Sequence, residues 1–181
     1  MSGDFPHDPL LDPVGIVVWA VHSGIYDMMY SSWGWPLAEI VHFFGICLLI
    51  GAVGMFDLTM LGLVRGIPLS ALHKLVPFGV LGFALSVASG FCFVVSAPDQ
   101  YLYNPAWHVK MYFLAAAGVN MALFYLTTYP RVKALVSGPA MPLAARVFAG
   151  VSLTCWLGVI MAGRVITAFR PPGWFWCGWC S

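Results

Sequence analysis

Charged residues are scarce in this chain, and their scarcity excludes most classes of soluble protein. Lys, Arg, Asp and Glu make up 8% of the 181 residues, whereas a soluble domain carries about 25%. Hydrophobic residues make up 61%, so there are too few charges to cover a water-facing surface. The net charge of +1 and the lack of a basic run or stacking motif argue against a nucleic-acid partner. The composition therefore predicts an integral membrane protein that contacts lipids.

Several sequence motifs are missing as well. There is no HExxH, no phosphate loop and no Ser-His-Asp or Cys-His-Asp arrangement, so hydrolytic and phosphoryl-transfer chemistry is not expected. The first twelve residues contain no Lys or Arg, so they lack the basic region of a signal peptide. We therefore expect the spans themselves to direct insertion, and we do not expect a stand-alone enzyme.

Four long apolar segments follow one another, each bounded by Pro, Gly or charged residues. They cover residues 37–64, 72–97, 106–129 and 143–169. Each has roughly 24–28 residues, which at about 1.5 Å per residue is enough to cross a hydrocarbon core of about 30 Å. Because the connections are short, we predict an all-α, up-down four-helix bundle.

The segment before the first span predicts a helix lying on the membrane. Residues 14–31 have helical spacing, but His22, Ser23 and Asp27 interrupt them, which favours an interfacial amphipathic helix over a span. The chain then divides into an N-terminal tail and helix (1–36), the bundle (37–170) and an aromatic tail (171–181).

Basic residues predict the orientation of the bundle. They lie in the first and third connections and are absent from the N-terminal tail: Arg65, Lys74, Arg131, Lys133 and Arg146. The positive-inside rule places these connections in the cytoplasm. We therefore expect a bacterial inner membrane protein with both termini in the periplasm.

Ionisable side chains near the outer ends of the spans predict a cofactor site, because such groups are costly in a membrane and mark function. His42 on the first span and His108 on the third fall at similar depth, and two such imidazoles can ligate haem b. Glu39 shares a helix face with His42 and would orient it. Lys110 and Arg164 would bind the propionates. The resulting hypothesis is a cytochrome b-like subunit that carries electrons between quinone and a periplasmic partner.

Two other functions use the same features. Glu39, His42 and His108 offer two imidazoles and a carboxylate, a set that also suits copper. Alternatively, the chain is a non-catalytic anchor subunit of a larger membrane complex, in which each histidine simply hydrogen-bonds a neighbour and no cofactor is bound.

Two further groups of residues remain. Asp57 lies near the inner end of the first span, where His73 or Lys74 can pair with it in a structural ion pair; the functional alternative is a quinone or proton site. Cys177 and Cys180 form a C-terminal CGWC, for which we expect a disulfide or free thiols. The aromatic residues around this pair predict a membrane belt or a partner-binding surface.

Short motifs in the spans resemble a family of small four-helix bacterial membrane proteins of uncharacterised function, related in layout to the copper-resistance D-type membrane proteins. The motifs are Glu39-Ile-Val-His42, Asp57-Leu58, Leu72-His73-Lys74-Leu-Val-Pro77, Asn104-Pro105 with Lys110, and Trp156-Leu-Gly-Val-Ile-Met-Ala-Gly-Arg164. The resemblance covers residues 37–169. It implies the four-span fold and favours Glu39, His42 and Arg164 as functional residues.

Overall fold

The computed structural model describes residues 13–64, 66–67, 69–133 and 141–169, and within these ranges every regular element is a helix. The α-helices are α1 Pro13–His22, α2 Ile25–Tyr30, α3 Gly34–Met60, α4 Leu69–His73, α5 Val76–Ser96, α6 Pro98–Tyr101, α7 Pro105–Leu123, α8 Tyr129–Lys133 and α9 Leu143–Val165. A π-helical segment, Phe124–Thr128, continues α7, and a 3₁₀ turn, Ile166–Phe169, continues α9.

Four of these segments are long and apolar enough to cross a membrane. Spans 1 to 4 are Gly34–Met60, Ala71–Ser96, Pro105–Thr128 and Leu143–Phe169. Large side chains on their outer surfaces, such as Phe43 and Leu126, are 64% and 77% exposed. An apolar surface of this extent is stable in lipid and not in water. The predicted all-α membrane bundle is thereby confirmed.

The beginnings and ends of the spans differ from the predicted ones by a few residues. Span 1 begins at Gly34, three residues before the predicted start at residue 37, so Pro36 lies in the first turn of the helix. Pro36 is tolerated there because the first turn of a helix has no partner for its amide N–H. Span 1 ends at Met60, ahead of Gly62, whose φ of +80° favours glycine and stops the helix.

The N-terminal segment forms two helices where the sequence predicted one over residues 14–31. Gly24 has a φ of +74° and separates α1 from α2. Met29 of α2 is fully buried among residues at the ends of spans 2, 3 and 4. Tyr30 Oη donates a hydrogen bond to the carbonyl of Ser96 at 3.3 Å. This contact attaches α2 to the end of span 2 that the sequence predicts to face the periplasm. Below, "outer" denotes this end of the bundle and "inner" the opposite end.

Glycines allow spans 1 and 2 to approach each other closely. A Cβ on Gly82 would lie 2.5 Å from the Gly45 carbonyl oxygen and 2.7 Å from the Leu49 amide nitrogen. A Cβ on Gly45 would lie 2.6 Å from Ser86 Oγ. Only glycine fits on both sides of this contact, as is common where membrane helices pack closely.

The spans form an open arrangement with one loosely packed side. α3 packs against α5 and α9, and α7 packs against α9. Along their described lengths, α5 and α7 do not pack side by side. The order around the bundle is therefore span 2, span 1, span 4 and span 3, with a gap between spans 2 and 3.

Candidate functional site

A cavity of about 370 Å³ lies between the four spans in their inner half. Its walls are mostly apolar and include Leu49 and Phe56 from span 1 and Leu114 from span 3. The volume falls within the range of about 300–1,000 Å³ that small-molecule sites occupy. Few polar groups line it, and these determine what the cavity can bind.

Asp57 supplies the only carboxyl group on the described cavity wall. Its side chain is 3% exposed, and its Oδ2 atom makes no hydrogen bond among the described residues. The Ser152 hydroxyl on span 4 is a hydrogen-bonding neighbour of this carboxyl. Leaving a buried polar atom without a partner costs about 1–3 kcal/mol. Neighbouring atoms cover Oδ2 in this structure, so a ligand group in the cavity reaches it only when these neighbours move apart.

The wall opposite Asp57 is shaped by an irregular stretch of span 3. Phe124 and Tyr125 line the cavity and open the π-helical segment Phe124–Thr128. Pro130 follows; it lacks an amide N–H, and its ring would crowd a carbonyl in a regular α-helix, which gives a physical reason for the wider turn. Asn120 donates from Nδ2 to the Phe148 carbonyl at 3.1 Å and joins span 3 to span 4 here. π-helical segments often occur at functional sites.

The predicted ion pair between Asp57 and His73 or Lys74 is not formed, because no described cation bonds Oδ2 of Asp57. His73 is exposed and stacks on Tyr129, with ring centroids 5.3 Å apart. Its Nε2 atom lies 3.3 Å from Tyr129 Oη. Lys74 is also exposed. Of this predicted inner group, only Asp57 lies at the cavity.

The outer histidine of span 1 is bonded within the protein. The Ser89 hydroxyl donates to the Leu85 carbonyl at 2.7 Å, so its oxygen accepts from His42 Nδ1–H at 2.9 Å. The hydrogen bond therefore assigns the proton to Nδ1 and leaves the lone pair on Nε2. Sequence reasoning missed Ser89, although its place in a stripe with Gly82 and Ser86 indicates the helix face that meets span 1.

The other predicted outer residues have separate surroundings. Glu39 accepts a hydrogen bond from Trp35 Nε1 at 3.1 Å, whereas the ring of His42 is held by Ser89. His108 is exposed, and its ring is 5.5 Å from that of Trp107. Arg164 is exposed and donates from Nη1 to Thr167 Oγ1 at 3.4 Å.

Lys110 packs against span 4. Its side chain lies across Gly163, with Nζ 3.8 Å from the place that a Cβ would take there.

The outer residues do not fit the two predicted metal centres. A haem would need His42 and His108 on opposite faces of one ring, but His42 faces span 2 and His108 lies on the exposed surface. The copper set needs Glu39 beside the histidines, and no three His, Cys, Asp or Glu side chains within the described ranges are grouped as metal ligands. Cys177 and Cys180 lie outside the described residues.

Comparison with known protein families, curated proteins and solved structures finds no match for this chain. The proposal of a function below starts from the fold and the Asp57 cavity.

Proposed function

We propose that this chain is a quinone-binding membrane protein, and that Asp57 donates a hydrogen bond to a carbonyl oxygen of the quinone head group. The observation that carries the proposal is the buried carboxyl of Asp57 in the lining of a largely apolar cavity, because its Oδ2 atom has no hydrogen-bond partner among the described residues. We place the protein in a bacterial inner membrane with both termini in the periplasm, on the distribution of its basic residues.

The chemistry of the cavity favours a neutral ligand over a cation. An acid without a cationic partner costs less to bury when protonated than when ionised. The protonated acid is a hydrogen-bond donor, and a carbonyl oxygen accepts from it. A metal ion such as Mg²⁺ or Ca²⁺ needs several oxygen ligands, and one carboxyl group does not supply them.

The shape of the cavity favours a small ring. Its volume of about 370 Å³ is near the lower end of the usual range for ligand sites, so a ligand of one or two rings fits better than a macrocycle. Phe56, Phe124 and Trp156 supply aromatic walls against which a flat ring can pack. Quinones combine such a ring with carbonyl oxygens and dissolve in membranes.

Fluorescence quenching tests the proposal, because quinones quench tryptophan emission and Trp156 lines the cavity. We expect a substituted benzoquinone without a side chain to quench the purified protein saturably. Replacing Trp156 with Phe should remove this component while leaving the binding site in place. Absence of saturable quenching in the wild-type protein would contradict the proposal.

Two substitutions of Asp57 separate hydrogen-bond donation from charge. Asp57→Asn keeps a donor, so we expect the affinity to change by less than about threefold. Asp57→Leu removes the donor, and the loss of one hydrogen bond of about 1.5 kcal/mol should weaken binding roughly tenfold. An equal loss of affinity in both variants would indicate that the ligand requires a carboxylate. The proposed hydrogen bond from Asp57 to a quinone carbonyl would then be wrong.

Haem binding and electron transfer remain separate predictions that the arrangement of His42 and His108 does not support. A reduced-minus-oxidised visible spectrum of protein expressed with haem available tests them directly. A b-type α band that is lost in both His42→Ala and His108→Ala would establish the predicted ligand pair.

A further inference from the structure

The gap between spans 2 and 3 leads from the cavity to the outer surface of the bundle. Val80 on span 2 and Met121 on span 3 both line the cavity, yet they are 62% and 59% exposed. Phe83 also lines the cavity and is 40% exposed. Side chains that face the cavity and the outside at once form the rim of an opening.

The position of this rim determines which solvent the opening meets. Val80 and Phe83 lie in the first half of α5 and well inside span 2, which begins at Ala71. Met121 lies within span 3, two residues before α7 ends. At these positions the surroundings of a spanning helix are lipid. The rim is also apolar, so it offers no hydrogen-bonding group to water.

We infer that the Asp57 cavity takes a ligand with a long apolar tail, whose head group lies inside and whose tail leaves through the gap between spans 2 and 3 into the bilayer. The inference rests on the proposed function and specifies the class of quinone: one with a hydrocarbon chain, taken up sideways from the membrane.

Gly118 offers a way to narrow the opening without disturbing the fold. It lines the cavity beside Met121, and a Cβ there would meet no atom within 4 Å. A Leu side chain at this position would occupy the space through which the tail passes. Gly51 on span 1 is a matched control: it is exposed, does not line the cavity, and is equally free of neighbours. Both Gly→Leu changes raise helix propensity by a similar amount.

The experiment compares two benzoquinones with the same head group, one with a decyl chain and one without, by saturable quenching of Trp156 in lipid nanodiscs. We expect Gly118→Leu to weaken binding of the decyl compound about tenfold and that of the bare head group by less than about twofold. Gly51→Leu should change neither affinity. Met121→Trp is a second way to narrow the opening and should give the same pattern.

Each other outcome has a distinct meaning. If Gly118→Leu and Met121→Trp leave the affinity of the decyl compound unchanged, or weaken both compounds equally, the tail does not pass through this gap and the inference is overturned while the proposed function stands. If the wild-type protein binds neither compound saturably, the proposed function fails, and the inference fails with it.

Discussion

The outer and inner halves of span 1 each contain an ionisable side chain, and the surroundings of these two side chains differ. His42 in the outer half meets a closely packed neighbour, because Gly45 and Gly82 bring span 2 near enough for Ser89 to bond its ring. Asp57 in the inner half lines a cavity, and its Oδ2 atom has no hydrogen-bond partner among the described residues. Both residues are ionisable side chains in the same apolar helix, so the sequence alone does not distinguish them. The difference comes from how closely the neighbouring helices approach each position.

Adding a side chain at the close contact between spans 1 and 2 should have the largest effect on stability. Gly82→Val places side-chain atoms against the backbone of Gly45 and Leu49, where even a Cβ is too close. We expect destabilisation of about 3 kcal/mol or more, because backbone atoms cannot move aside as a flexible side chain can. Thermal unfolding in mild detergent measures it. Gly118→Val, at a site with no near neighbour, is the control; equal melting temperatures would contradict the close packing.

Asp57→Leu should have an intermediate effect: we expect it to raise the stability of the protein and to lower its affinity for quinone. Removing a buried carboxyl that has one oxygen without a partner among the described residues relieves its desolvation. We therefore expect stability to rise by about 1–2 kcal/mol while the affinity for quinone falls. Chemical denaturation and quenching measure the two quantities on the same sample. A loss of stability in Asp57→Leu would show that the interaction with Ser152 outweighs the desolvation and that the carboxyl is structural.

The hydrogen bond between His42 and Ser89 should contribute a smaller amount. We expect His42→Phe and Ser89→Ala each to lower stability, with a coupling of about 1 kcal/mol in the double-mutant cycle. Neither change should alter quinone affinity, because the pair lies outside the cavity lining. Additive effects of the two substitutions would mean that the bond at 2.9 Å contributes nothing to stability.

His108→Ala should have the smallest effect of the series. The side chain is exposed and touches only the ring of Trp107 among the described contacts. We expect a change in stability within about 0.5 kcal/mol and no change in quinone affinity. A large loss of stability or of quinone affinity would show that His108 belongs to a functional site and would favour the predicted haem.

The number of spans was predictable from sequence, whereas the rotation of each helix was not. Long apolar runs report length directly, so the four spans were located to within a few residues. His42 and His108 were paired because their depths match, but depth says nothing about the direction in which a side chain leaves its helix. Glu39 illustrates the same problem. It shares a helix face with His42, yet its carboxylate accepts a hydrogen bond from Trp35, one turn earlier. Asp57 could be identified from sequence because an ionisable side chain within an apolar span is energetically costly wherever it points.

The cavity could not be predicted from the sequence, because it forms where spans 2 and 3 do not pack against each other. Val80 and Met121 look like ordinary lipid-facing residues in an apolar stretch, and no residue pattern reports the distance between spans 2 and 3. Ser152 and Asn120 are polar residues in apolar spans, but their contacts follow only from the position of span 4.

The π-helical segment at Phe124–Thr128 has a consequence for insertions and deletions along span 3. A π turn holds about one residue more than an α turn, so deleting a single residue there would restore a regular helix and keep the chain continuous. The residues downstream would then keep nearly their present orientation, because the wider turn already accommodates the additional residue. Tyr129 would stay beside His73, and the contact between Phe113 on span 3 and Gly158 on span 4 would also remain. A deletion in the regular α-helical part of α7 would instead rotate everything downstream by about 100°, the angle between successive residues of an α-helix, so length variation in span 3 is tolerated at this one point.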